Sequence, residues 1–107
     1  MKRTQSEEEE QLNLLTKSVK SLCKNGEYEK CCTIIYKAMG KFPHAARPHN
    51  LLGIVLEKEG NHILAMKHFR AAWALDPTYR PASANLHIYD TFYSNGVYAY
   101  DESDLDS

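Results

Sequence analysis

Glycine-rich loops, paired metal-ligand motifs and long apolar runs are all missing from this 107-residue chain. No apolar stretch approaches the roughly 20 residues that span a bilayer as a helix, so no membrane association is expected. The first residues, Met1 to Ser6 followed by four glutamates, contain no apolar run of the kind a secretory signal needs. Cysteine is scarce and odd in number: Cys23, Cys31 and Cys32, with no CxxC. That pattern reads as reduced core thiols and places the protein in the cytoplasm. His44, His49, His62, His68 and His87 include no i, i+4 pair and no Cys/His spacing typical of zinc, so no metal is expected. No Ser/His/Asp arrangement and no phosphate-cradling loop is visible, so neither an enzyme nor a cofactor is expected.

What is present is a repeat. Gly26 recurs as Gly60, Ala38 as Ala72 and Pro43 as Pro77, each 34 residues on. A fixed period of that length marks a helical repeat in which each unit is a helix-turn-helix. Ser6 and Glu9 read as a capping box, and Leu12, Leu15, Val19 and Leu22 give the first helix one buried stripe. Asn25-Gly26 stops it. A second helix, about Glu27 to Lys41, buries Tyr28, Cys31, Ile35, Ala38 and Phe42 before Pro43 ends it. Arg47-Pro48 opens a third, with Leu52, Val55 and Leu56 inward, closed by Gly60-Asn61. The fourth, about His62 to Leu75, carries Ala65, Phe69, Ala72 and Trp73 and ends at Asp76-Pro77. A fifth, about Pro81 to Tyr93, turns Ala82, Leu86 and Tyr89 to one side. Residues 94–107 read as a mostly disordered acidic tail, with Asn95-Gly96 as a hairpin signal.

The second unit resembles the tetratricopeptide repeat (TPR). Leu52-Gly53 stands at the Leu-Gly pair of the first helix, Ala65, Phe69 and Ala72 at the small, aromatic and small positions of the second, and Pro77 at the closing proline. Gly53 and Ala65 then let two backbones approach while Phe69 fills the gap between them. The first unit matches at Asn25 to Tyr28, Ala38 and Pro43, but Val19 replaces glycine and Cys31 replaces alanine, so that pair should stand farther apart. His49 replaces an aromatic in the second unit, and the last helix looks like a polar-faced cap. The resemblance implies an all-α fold of antiparallel helix-turn-helix repeats, about two and a half units and five helices, forming a short right-handed superhelix. The corresponding division is a lead at 1–11, units at 12–45 and 46–79, a capping helix at 80–93 and the tail at 94–107.

In such arrays the first helices of successive units line a concave face that takes ligands. The matching positions here include Lys17, Lys20, Lys24, Arg47, Asn50, Leu51, Ile54, Lys58, Asn85, Ile88 and Phe92. One end is lysine-rich and the other apolar, which suits an acidic peptide with one or two large apolar anchors; the lysines also read as a solvated helix face. The carboxylate clamp of chaperone-tail binders is absent, its places holding Thr16, Lys20, Leu51, Pro81 and Asn85.

Charge adds a further expectation. Residues 1–10 carry net −2, residues 11–92 net +5, and residues 93–107 four acids and no base. The acidic ends would repel phosphate, so no nucleic acid is expected. The tail, with Val97, Tyr98 and Tyr100 before Asp101, Glu102, Asp104 and Asp106, itself fits the ligand description. The hypothesis is that it docks in the groove, of its own molecule or of a neighbour. The expected function is a protein-interaction module binding a peptide or partner protein; the alternative is a structural protein that self-associates through an exposed repeat edge.

Overall fold

Two glycines with left-handed backbone divide most of this chain into helical pairs. The structure, a computed structural model, describes residues 5–90, 99–101 and 104, with the backbone alone for 5, 6 and 88–90. It contains α1 (Gln5–Lys24), α2 (Tyr28–Lys41), α3 (Ala46–Lys58), α4 (His62–Leu75) and α5 (Arg80–Asp90), and no strand among the described residues. Gly26 (φ +73°) and Gly60 (φ +85°) sit just beyond α1 and α3. At each, the glycine N–H and the next N–H turn back onto the preceding helix: Gly26 to Cys23 and Glu27 to Leu22, then Gly60 to Glu57 and Asn61 to Leu56. These closures satisfy carbonyls that the helix end would leave orphaned. The Asn61 side chain then accepts from the Leu64 N–H and caps α4.

The prolines act as expected. Pro48 and Pro81 lie in the first turns of α3 and α5, where their missing N–H costs nothing. Pro43 and Pro77 follow α2 and α4. Asp76 organises the second of these turns by accepting from both the Thr78 N–H and hydroxyl. The start of the chain differs from expectation. Among the described residues α1 already includes Gln5, so Ser6 lies within the helix and does not flank it as a cap.

α3 is the central helix. It packs on α2, α4, α1 and α5, and its contact with α4 is far more extensive than that of α1 with α2. Gly53 is the reason: a Cβ there would lie 2.5 Å from a ring carbon of Phe69, so the ring rests directly on the α3 backbone. At the matching place in the first pair, Val19 and Cys31 carry side chains, both fully buried. Val19, Cys31, Ile35, Leu51, Leu52, Ile54, Val55, Ala65 and Phe69 form one core with no exposed surface. Each large member contributes about 1.5–3 kcal/mol of transfer free energy. A second cluster of Ala46, Ala72 and Ala82 lets α5 approach α3 and α4 closely. Trp73, expected on the inner stripe of α4, instead points outward with 49 % of its surface exposed.

Candidate functional site

Because α3 touches both α1 and α5, these three helices share one face. Residues 99–101 and 104, which belong to the segment expected as a disordered tail, lie against it. Asn85 of α5 holds the backbone of a single residue from both sides. Its Oδ1 accepts from the Ala99 N–H at 2.8 Å, and its Nδ2 donates to the Ala99 carbonyl at 2.9 Å. Asn50 of α3 donates a second hydrogen bond to the same carbonyl at 2.9 Å. The two amides are tied together, Asn85 Nδ2 donating to Asn50 Oδ1 at 2.8 Å. Both asparagines are fully buried, and every polar atom of the Asn85 amide is used.

Tyr100 packs against the main core. Its carbonyl accepts from the Tyr79 hydroxyl at 3.5 Å, and its own hydroxyl lies beside the Cys23 thiol, close enough for the two to influence each other's titration. Burial pushes the Tyr100 phenol well above its ordinary range, with the neighbouring thiols adding to the effect. Burial likewise raises Cys23, and pushes Cys31, 3.6 Å from it, up to about 12. These thiols are protonated at neutral pH and serve as packing groups and weak hydrogen-bond partners, not nucleophiles.

Asp104 closes the segment. Its Oδ2 accepts from the N–H groups of Tyr100 and Asp101, and its Oδ1 accepts from Lys20 Nζ at 2.9 Å. Partial burial pushes this carboxyl up, but the Lys20 and backbone hydrogen bonds outweigh it and hold the group below its usual value. Lys20 also stands 5.4 Å over the Tyr100 ring, so one ammonium serves an aromatic face and a carboxylate.

The sequence-expected residues divide sharply. Lys20, Asn50 and Asn85 are brought together on Ala99, Tyr100 and Asp104. Leu51 and Ile54, expected as an open apolar end, have no exposed surface and belong to the core against which Tyr100 packs. Arg47 turns to α1, where it pairs with Glu9 and Asn13. Lys17 borders an open cavity of about 530 Å³ with Leu22 and Ile34, on the α1–α2 side. Lys24 and Lys58 are exposed on α1 and α3, Lys58 close enough to Cys23 to oppose the rise of its pKa. Ile88 lies on α5, but its side chain is outside the described residues, as are Phe92, Asn95-Gly96, Val97, Tyr98, Glu102 and Asp106.

Two features went unread in the sequence. One is the union of Asn50 and Asn85 into a single clamp, signalled only by two asparagines 35 residues apart, close to the 34-residue period. The other is the stacking of His49 on His68, with Nδ1 atoms 3.1 Å apart. Burial lowers the pKa of both imidazoles. No group of three potential metal ligands occurs among the described residues, and none of the described helices is long and apolar enough to cross a membrane. Comparison with known proteins finds no matching family model, no matching curated protein and no matching solved structure.

Proposed function

We propose that this chain is a protein-interaction module, built as about two and a half TPR-like helix-turn-helix units, that takes an extended peptide segment on the face shared by α1, α3 and α5. The observation that carries the reading is the buried Asn50–Asn85 pair, whose hydrogen-bonding capacity is directed at the backbone of a segment outside the helical array. A buried amide without such partners costs about 1–3 kcal/mol. Helices held mainly by apolar packing have no need of this pair, whereas a face that receives a peptide does. The 34-residue period and the Gly53–Phe69 contact support the repeat architecture. The expected compartment is the cytoplasm, where three reduced thiols persist. The proposed role is binding without catalysis, with a protein or peptide as partner and neither nucleic acid nor membrane.

Selection of random peptides on the full chain tests this, with the selected peptides then mapped by amide chemical shifts. Binders that shift Lys20, Asn50, Asn85 and Lys58 support the reading. No binders, or binders that map only elsewhere, would end it.

A second reading, self-association through a repeat edge, is favoured by one observation. Leu14 is 59 % exposed and opens with Leu12, Leu15, Ile34, Ala38 and Phe42 onto a cavity of about 250 Å³ between α1 and α2. Light scattering across a concentration series tests it, and a strict monomer at high concentration excludes it.

A further inference from the structure

We propose that segment 99–104 is a resident copy of the ligand: the groove recognises a small residue followed by tyrosine, with an acidic residue four positions after the tyrosine, and a separate peptide of that chemistry enters by displacing the resident copy. The proposal rests on the peptide-binding reading above and deepens it to a ligand class and a regulatory contact.

Each element of the pattern has its own physical source. The clamp reads the N–H and the carbonyl of residue 99, and Ala99 is 5 % exposed beneath it, so its methyl faces protein and a small residue suits the position. The next side chain enters a site made by the core, the Cys23 thiol and the Lys20 ammonium. A phenol satisfies all three, combining an apolar ring, a hydroxyl for the thiol and a π face for the cation. The acid at 104 joins Lys20 and also ties the segment into a turn through the N–H groups of Tyr100 and Asp101. A ligand that lacks the acid loses both the ion pair and its bound shape.

The resident copy is tethered. Ala99 lies only 14 residues from Asn85, so the groove meets it at an effective concentration of order millimolar. An incoming peptide binds only the fraction of molecules whose groove is open, and its apparent affinity falls by that fraction. Weakening the resident copy should therefore strengthen binding in trans, the reverse of what loss of a structural contact does.

The test uses a fluorescent peptide with the sequence of residues 97–107, titrated by anisotropy against the full chain and against the full chain carrying Tyr100→Ser and Asp104→Ala. The expected result is binding at least tenfold tighter to the altered chain. Lys20→Glu, added to that altered chain, changes an exposed side chain and should weaken the peptide at least tenfold. A peptide with its Asp104 changed to alanine should bind the altered chain at least tenfold more weakly, and Lys20→Glu should weaken this peptide less than it weakens the original. Equal affinity for the altered and unaltered chains overturns the displacement contact. An equal effect of Lys20→Glu on both peptides overturns the ligand pattern. Binding to neither chain, while selected peptides still map to the groove, sinks this inference alone; absence of any groove binder sinks the peptide-binding reading with it.

Discussion

Replacing Asn85 by alanine should release segment 99–104 while leaving the helices folded. The substitution removes three hydrogen bonds, of 2.8, 2.8 and 2.9 Å. The Ala99 carbonyl keeps its bond from Asn50, but the Ala99 N–H and Asn50 Oδ1 lose partners in a buried place. Each group stranded there costs about 1–3 kcal/mol, so holding the segment down would cost about 2–6 kcal/mol. What remains to hold it is smaller. Half-burial of Tyr100 contributes roughly 1 kcal/mol, and the Lys20–Asp104 pair, with 44 % and 22 % of its side chains exposed, at most about 1 kcal/mol. Ordering each residue of the segment costs about 1–2 kcal/mol. Release is therefore the cheaper outcome. The assay is amide hydrogen exchange on the full chain. With three hydrogen bonds at about 1 kcal/mol net each, protection of the Ala99 amide should fall about a hundredfold. Amides of α3 around Leu52 and Val55 should keep theirs. An Ala99 amide that stays protected in Asn85→Ala would refute the reasoning, because the segment would then be held by something other than the clamp.

Three further outcomes follow from packing, backbone and charge. Gly53→Ala forces a Cβ to within 2.5–2.9 Å of three Phe69 ring atoms. Overpacking of about 1–3 kcal/mol against a helix-propensity gain of about 1 kcal/mol leaves a net loss of up to about 2 kcal/mol. That loss should lower Tm by several degrees in a thermal melt, and Phe69→Leu should relieve part of it. Gly26→Ala should cost about 1–2 kcal/mol by a different route, the left-handed backbone alone, since nothing lies within 4 Å of the added Cβ; Phe69→Leu should not rescue it. His49 and His68 bind protons less readily folded than unfolded, so the unfolded chain takes up more protons as pH falls below the ordinary value of 6.5. Stability from this pair is intact above that pH and lost below it. The urea midpoint should drop between about pH 7.5 and 5.5, and the drop should shrink in a variant with both imidazoles replaced.

The helical plan was legible because its punctuation is local. Asn25-Gly26, Gly60-Asn61 and the prolines at 43 and 77 set the ends of α1 to α4, and α4 runs over His62–Leu75 as the pattern indicates. The stripes identified Val19, Ile35, Val55 and Phe69 as core for the same reason. The site was harder to read because α3 is buried on nearly every side from Pro48 to Leu56. Its inward stripe emerged from the 3.6-residue period, but Leu51 and Ile54 fall off that stripe and read as exposed. A period computed along one helix does not register neighbours from α1 and α5. Nor does it register a chain segment beginning 45 residues beyond Ile54. The pairing of Arg47 with Glu9, and the cavity that Lys17 shares with Ile34, are tertiary features of the same kind, which no single-helix period registers. The charge contrast between body and tail, which needs no geometry, suggested that the tail meets the groove, but not which lysine meets which acid.

The Asn85 amide grips both the N–H and the carbonyl of one residue, and that gives the groove a step size. In an extended chain these two groups of a given residue face the same way, and those of the next residue face the opposite way. Sliding a bound strand by one residue would turn the donor and acceptor away from Asn85 and leave the amide empty-handed in a dry place. An extended ligand can therefore change register here only by two residues at a time, whereas the bend at Tyr100 and Asp101, held by Asp104, keeps the resident segment from sliding at all. The clamp is indifferent to sequence at the atoms it touches, yet it counts the chain in pairs, so a ligand needs only one small side chain at the right parity to be threaded unambiguously.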